Sequence, residues 1–227
     1  MYSYSRCGYQ DERGASIPGR HYRPTWDVLC RSIPKGQLLA YNSTKGILQI
    51  QEQEPGSEER KVDDDSIVLC ISGRCRRPGV RGARAGWGIY FGPGSPYNAS
   101  GLLDPGLPQT ESRAEIEALL RAMRVVKDRI ISDGFHPRRC FIKTHSLYIQ
   151  QVFPGPIRRW AAAAGRNIYG EKLLYFQLLM DIESLMRDVG NRGEGGEGGT
   201  NVLIWCAATE ENREADELAV LAILQTE

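Results

Sequence analysis

The apolar positions of this chain change period along its length, and each change marks an element. Residues 66–72, Ser-Ile-Val-Leu-Cys-Ile-Ser, are an almost unbroken apolar run, the pattern of a strand buried on both faces. A second run at 85–91 predicts another strand, and Gly92-Pro93-Gly94-Ser95-Pro96 a turn into a third at 97–103. Connections this short favour antiparallel neighbours. From Thr110 the period becomes helical: Ile116, Leu119, Leu120, Met123, Val126 and Ile130 fall on one face. Thr110 is placed to cap that helix, Glu111 suits the positive end of its dipole, and Gly134 and Pro137 end it. A fourth strand is expected at 140–144, helical stretches around 157–164 and 171–189, a fifth strand at 202–206 and a closing helix at 213–224. The order βββαβααβα implies an α/β domain: a five-stranded mixed sheet, three antiparallel strands then parallel β-α units, with flanking helices.

The first 65 residues carry weaker signals. Up to about Glu54 the chain is rich in Tyr, Arg, Gly and Pro without a long period. Within it, residues 37–41 and 47–51 flank Asn42-Ser43-Thr44-Lys45-Gly46, which reads as a hairpin packed on the domain. Residues 52–65 are almost all polar or charged and read as a linker. The organisation expected is an N-terminal extension over 1–65 and an α/β domain over 66–227. The glycine-rich stretch 190–200 should be a flexible surface loop.

Composition narrows the classes. A formal charge of +1 gives no overall attraction for polyanions, so any affinity for nucleic acid must come from local arginine clusters. No apolar run approaches a membrane span, and residues 1–7 lack the apolar core of a secretory signal. The six cysteines include no Cys-x-x-Cys pair, and Cys70 and Cys206 lie in predicted strands. Reduced, buried thiols in an intracellular protein, nuclear or cytoplasmic and without a membrane partner, are the expectation.

Five segments, in order, carry a family resemblance: Ile71-Ser72-Gly73-Arg74-Cys75, the glycine-flanked aromatic strand at 82–93, Gln109-Thr-Glu-Ser-Arg-Ala-Glu115, Thr144-His145-Ser146, and Asn212-Arg-Glu-Ala-Asp216-Glu-Leu-Ala219. From about residue 66 onward the chain resembles the cellular RNase H (type 1) family. The resemblance implies an RNase H-like fold and two divalent metals, normally Mg²⁺, that hydrolyse the RNA strand of an RNA–DNA hybrid. Such hard ions need anionic oxygen ligands, and the family supplies four carboxylates. Glu115 and Asp216 match two of them. Ser72 stands where the resemblance assigns the aspartate that bridges the metals, and His145 where another carboxylate is usual. A hydroxyl is a poor ligand for Mg²⁺, and imidazole suits Zn²⁺ or Ni²⁺ better. The acidic run Asp63-Asp64-Asp65 precedes the first strand and Ser72 ends it, so roughly 20 Å separates them. The family's mobile, histidine-containing glycine loop before the last helix is replaced by Ala207-Ala-Thr-Glu-Glu211.

These readings point to a catalytically degenerate RNase H-like protein that acts by binding nucleic acid, an RNA–DNA hybrid or structured RNA, or a protein partner. No cofactor and no metal are expected; if a metal binds, Glu115 and Asp216 would hold it. The alternative is a hybrid endoribonuclease of weak or metal-altered activity, with Mg²⁺ or Mn²⁺, and a further one is a structural subunit of a larger assembly. Ser72 and His145, with Asp216 orienting the imidazole, would make a new nucleophilic arrangement, although nothing marks an oxyanion hole. Candidate nucleic-acid contacts are Arg74, Arg76, Arg77, Arg81 and Arg84 in the loop between the first two strands. Arg158, Arg159, Arg166 and Lys172 resemble the family's basic protrusion, with Trp160 expected to pack inward.

Overall fold

The computed structural model describes residues 8–10, 16–18, 20–153, 156–166, 169–191 and 199–225. The chain runs β1 (Gly8–Gln10), β2 (Ser16–Pro18), β3 (His21–Tyr22), β4 (Leu39–Asn42), β5 (Ile47–Gln53), β6 (Arg60–Val62), β7 (Ser66–Arg76), β8 (Arg84–Tyr90), β9 (Ala99–Leu102), α1 (Glu111–Val125), β10 (Arg139–Thr144), α2 (Leu147–Val152), α3 (Pro156–Ala162), α4 (Phe176–Gly190), β11 (Asn201–Cys206) and α5 (Arg213–Leu224). The five-stranded mixed sheet is β9-β8-β7-β10-β11. β7, β8 and β9 pair antiparallel, while β10 runs parallel to both β7 and β11.

The apolar run of β7 is buried on both faces because two different cores meet there. Ile67, Leu69 and Ile71 point into one core with Ile116, Leu119 and Met123 of α1 and Ile182 and Met186 of α4. Val68 points the other way, into a second cluster with Phe141 of β10 and Trp205 of β11. The helix α5 lies against β8 and β7, and the remainder of that face is covered by the N-terminal segment through Tyr22, Cys30, Ile33 and Leu38. Each such side chain withdrawn from water contributes about 1.5–3 kcal/mol.

The N-terminal segment is also hydrogen-bonded into the sheet. β4 and β5 form an antiparallel pair, β5 meets β7 at Leu48↔Val68, and β3 adds in parallel to β11. The stretch 52–65 is more ordered than a linker: β6 turns back onto β5, with Gln51 opposite Val62. Its side chains are exposed, so backbone pairing and an Arg60 hydrogen bond to the Gln37 side chain hold it, and no apolar period was there to read. Arg139 fastens the segment from beneath. It donates to Asp63 and Glu52, lies 3.8 Å from Asp27 and sits over Phe141.

Several boundaries differ from the sequence expectation. β7 runs on to Arg76, because the exposed Arg76 and Arg84 pair across a protruding hairpin. α2 is an added short helix, with Ser146 accepting from the Ile149 amide at its start. α4 starts at Phe176, since Tyr175 holds a left-handed backbone (φ 62°) that ends any earlier helical run. The amphipathic helix closes in a π-helical turn, Val126–Ile131. Most of the glycine-rich stretch expected to be a flexible loop, residues 192–198, lies outside the described residues. No helix among the described residues is long and apolar enough to cross a membrane.

Candidate functional site

Three glycines let two helices press against β7 from opposite faces. A Cβ on Gly88 would lie 2.3 Å from the Ala215 carbonyl oxygen, and one on Gly86 would lie 2.6 Å from that of Ala219, so α5 rides directly on β8. On the other face, a Cβ on Gly73 would meet the Glu115 amide nitrogen at 2.3 Å. Thr110 begins α1 by accepting from the Arg113 amide, which fixes where Glu111 and Glu115 emerge. Asp216 from α5 and the two glutamates from α1 thus converge with Ser72 and Arg74 of β7 and with His145, just after β10.

Arg74 dominates the geometry. Its guanidinium donates through Nε to Oδ1 of Asp216 and through Nη2 to Oδ2 at 2.9 Å, while Nη1 reaches Oε1 of Glu111 at 2.9 Å. A planar fork across both oxygens of one carboxylate is the strongest neutralising contact a side chain offers. The hydrogen bond to Asp216, against the opposing effect of burial, raises the Arg74 pKa above its ordinary value. Ser72, 1 % exposed, donates to the same Asp216 Oδ1 at 2.9 Å. Asp216 therefore has both oxygens engaged by this chain's own donors.

Glu115 is buried and accepts from the Ser146 hydroxyl at 2.6 Å. Burial pushes its carboxyl up to about 7, and the Ser146 bond holds it from rising further. His145 places Nδ1 3.1 Å from the Asn212 amide nitrogen, which also donates to the Ile71 carbonyl at 2.8 Å. Burial, and then the nearby Arg74 charge, lower the His145 pKa. Its Nε2 is screened from solvent without a hydrogen-bond partner, and so is Oδ1 of Asn212. One ligand atom from each of Glu111, Glu115 and His145 lies within 4.8 Å of the others.

A Ser–His–Asp arrangement does not form. Asp216 is bound by Ser72 and Arg74, while the His145 ring contacts Asn212 in place of an orienting carboxylate. The acidic run 63–65 sits at the start of β7, far from Ser72 along the strand, with Asp63 committed to Arg139. A cleft of about 890 Å³ opens under the N-terminal segment, lined by Tyr90, Lys143, Trp205 and Glu214, and does not include Ser72, Glu115, His145 or Asp216.

The structure separates Arg74 from the other arginines of its loop. Arg76, Arg77, Arg81 and Arg84 are exposed on the β7–β8 hairpin. Arg76 and Arg84 face each other across it, on the same side of the sheet as Ser72 and Arg74. Arg166 and Lys172 form an exposed bridge between α3 and α4, and Trp160 packs against the main core. The side chains of Arg158 and Arg159 lie outside the described residues. Sequence reasoning missed Glu111 as a site residue, reading it only as a dipole partner. The available signal was its position in the helix-start signature, where the resembled family has asparagine.

No protein-family model matches the chain. Among curated proteins it is 31% identical over 121 residues to ribonuclease H1 of Rattus norvegicus, covering 53% of this chain and 40% of that protein. It is 29% identical over 121 residues to ribonuclease H1 of Homo sapiens, again covering 53% and 40%. The match thus spans well under half the length of these relatives. Among solved structures, a foamy viral protease-reverse transcriptase in complex with dsDNA superposes with a TM-score of 0.51 at 18% identity, covering 68% of this chain and 92% of that one. The foamy viral protease-reverse transcriptase in complex with RNA/DNA hybrid gives 0.51 at 17% identity, covering 74% and 21%. At these identities the structural likeness is one of fold.

Proposed function

We propose that this chain, which belongs to the RNase H family, is a hydrolytically silent member that holds an RNA–DNA hybrid through its inherited surface. One observation carries the reading: the Arg74 guanidinium lies across both oxygens of Asp216 and reaches Glu111. Family chemistry needs two dications among carboxylates. Here a fixed monocation already neutralises one of the two carboxylates that match the family. Ser72 donates its hydroxyl proton to that same carboxylate, so it acts as a donor where the family has a ligand. An ion held at Asp216 would have to displace the guanidinium or share a site with it, so the residues present do not fit a pair of Mg²⁺ ions. No hydrolytic step follows from such a cleft.

Binding is supported by what flanks the cleft. Ser72, Arg74 and the pair Arg76↔Arg84 lie in sequence along one face of the β7–β8 hairpin, so cationic positions lead outward from the old site. Arg77 and Arg81 extend them at the tip. The part of the foamy viral protease-reverse transcriptase in complex with RNA/DNA hybrid that superposes on this chain, 21% of that structure, shares its fold. Guanidiniums on a protruding hairpin grip phosphates by releasing counterions, with an affinity that falls as salt rises.

The test is one sample read twice. Full-length protein is titrated into a labelled RNA–DNA hybrid with Mg²⁺ present, first by fluorescence anisotropy at two salt concentrations and then on a denaturing gel. Saturable, salt-sensitive binding with intact RNA is expected. Absence of binding at low salt, or preference for a protein ligand over every nucleic acid tried, would overturn the binding half; cut RNA would overturn the silent half.

A further inference from the structure

We infer that the cleft under the N-terminal segment binds a small organic anion that carries a planar ring, of the nucleoside monophosphate class. This goes beyond the hybrid-holding surface and does not rest on it. The cleft excludes Ser72, Glu115, His145 and Asp216, and no arginine of the β7–β8 hairpin lines it. Its volume, about 890 Å³, is that of a small-molecule site. It opens at the seam where the N-terminal segment closes over the sheet.

The floor of the cleft follows from the strand register. Tyr90 of β8 pairs with Cys70 of β7, Cys70 with Lys143 of β10, and Lys143 with Trp205 of β11. Residues in register point to the same face of a sheet. Val68 and Phe141, two positions back along β7 and β10, fix that face as the one under the N-terminal segment. One row thus sets a lysine between a tyrosine and a tryptophan, with the Lys143 ammonium 5.3 Å from the Trp205 ring centre. Tyr41 of β4 adds a second phenol from the N-terminal segment.

Three polar ends in this cleft have no internal partner. The Lys143 ammonium and the hydroxyls of Tyr41 and Tyr90 make no hydrogen bond or ion pair among the described residues, and all three side chains are half-buried. An ammonium has three hydrogens to donate, and its charge-assisted bonds to phosphate or carboxylate oxygens are among the stronger polar contacts. Arg23 and Arg31 are exposed on the lining and add to the preference for an anion. Lys35 does not, because it is engaged by Glu211, an ion pair that joins the N-terminal segment to the connection after β11. Three cations then face the two remaining carboxylates, Glu210 and Glu214, which are placed to accept from hydroxyl or amino groups of a ligand. Aromatic rings on either side of Lys143 suit a planar body attached to the anion, which a bare phosphate would leave unused.

The test is calorimetric titration of the full chain with adenosine 5′-monophosphate, inorganic phosphate, adenosine and benzoate. The nucleotide should bind one per chain, and each of the other three at least ~10-fold more weakly, since each lacks part of the contacts. Lys143→Met keeps the apolar stem and removes the charge, and should weaken nucleotide binding ~10-fold or more. Arg76→Glu combined with Arg84→Glu should leave it unchanged. Tyr90→Phe removes one hydroxyl and should also weaken binding, so it stays informative if Lys143→Met fails to fold. No saturable nucleotide binding, equal binding in the wild type, Lys143→Met and Tyr90→Phe, or loss in the hairpin variant would each overturn the inference. Phosphate or benzoate binding as tightly as the nucleotide would overturn it too. Lys143→Met should still hold the RNA–DNA hybrid, so the cleft and the hybrid surface fail separately; loss of hybrid binding in that variant would merge the two and overturn a distinct site.

Discussion

Arg74 and Glu111 are the residues on which the geometry of the cleft turns, and Glu111 stands where the resembled family has asparagine. Together they add a cation and an anion, and the cation reaches Asp216 as well. Arg74→Ser by itself should lower stability by about 1–2 kcal/mol, because a partly buried Asp216 keeps only the Ser72 bond. It should not restore cleavage, since Ser72 and His145 still lack carboxylates. A shift in the urea midpoint at constant slope, together with a flat cleavage assay, checks both halves. Gly73 answers to packing alone. Gly73→Ala would drive a methyl into the Glu115 amide at 2.3 Å, which predicts a loss of about 1–3 kcal/mol. The same urea measurement reads it, and a midpoint equal to wild type would mean that α1 can lift off β7 freely.

At the scale of elements, the alternation along β7 was legible in the sequence as an apolar run buried on both faces. What covers each face was not. One cover is α1, whose helical period was plain; the other is a segment around Tyr22, Cys30 and Ile33 with no period at all. Such a segment packs through isolated anchors and a buried ion cluster, and neither leaves a repeating pattern. Arg139 is the centre of that cluster, with Asp63, Glu52 and Asp27 around it. Removing one partner from a buried ionic cluster is far costlier than never having had it. Arg139→Ala should therefore destabilise the chain by about 3 kcal/mol, and limited proteolysis should cut first within residues 20–65. Cleavage first elsewhere would place the weak point outside this segment. The β7–β8 hairpin makes a separate prediction. Glu at positions 76, 77, 81 and 84 together should abolish most hybrid binding at low salt, and the remaining binding should depend far less steeply on salt. An unchanged salt slope would remove the hairpin from the interface.

For the molecule as a whole, the fold is held by contacts that do not involve the side chains of the cleft. The sheet order, the glycine contacts of Gly73, Gly86 and Gly88, and the cap at Thr110 depend on backbone approach and packing, which a change of cleft side chains leaves alone. Glu115 and Asp216 could be read from the sequence as retained carboxylates, because helix-start signatures fix their place. That Asp216 would be tied to Arg74 could not, since nothing in a linear sequence says whether an arginine of a hairpin points to solvent or back along its strand. The most direct test compares hybrid cleavage by the wild-type chain with that of the triple variant Ser72→Asp, Arg74→Ser, His145→Asp, both with Mg²⁺ or Mn²⁺. The wild type should bind the hybrid and leave the RNA intact, while the triple variant should cleave it, and Glu115→Gln in that background should abolish the cleavage. Cleavage by the wild type that is lost on Glu115→Gln would contradict the silent cleft outright.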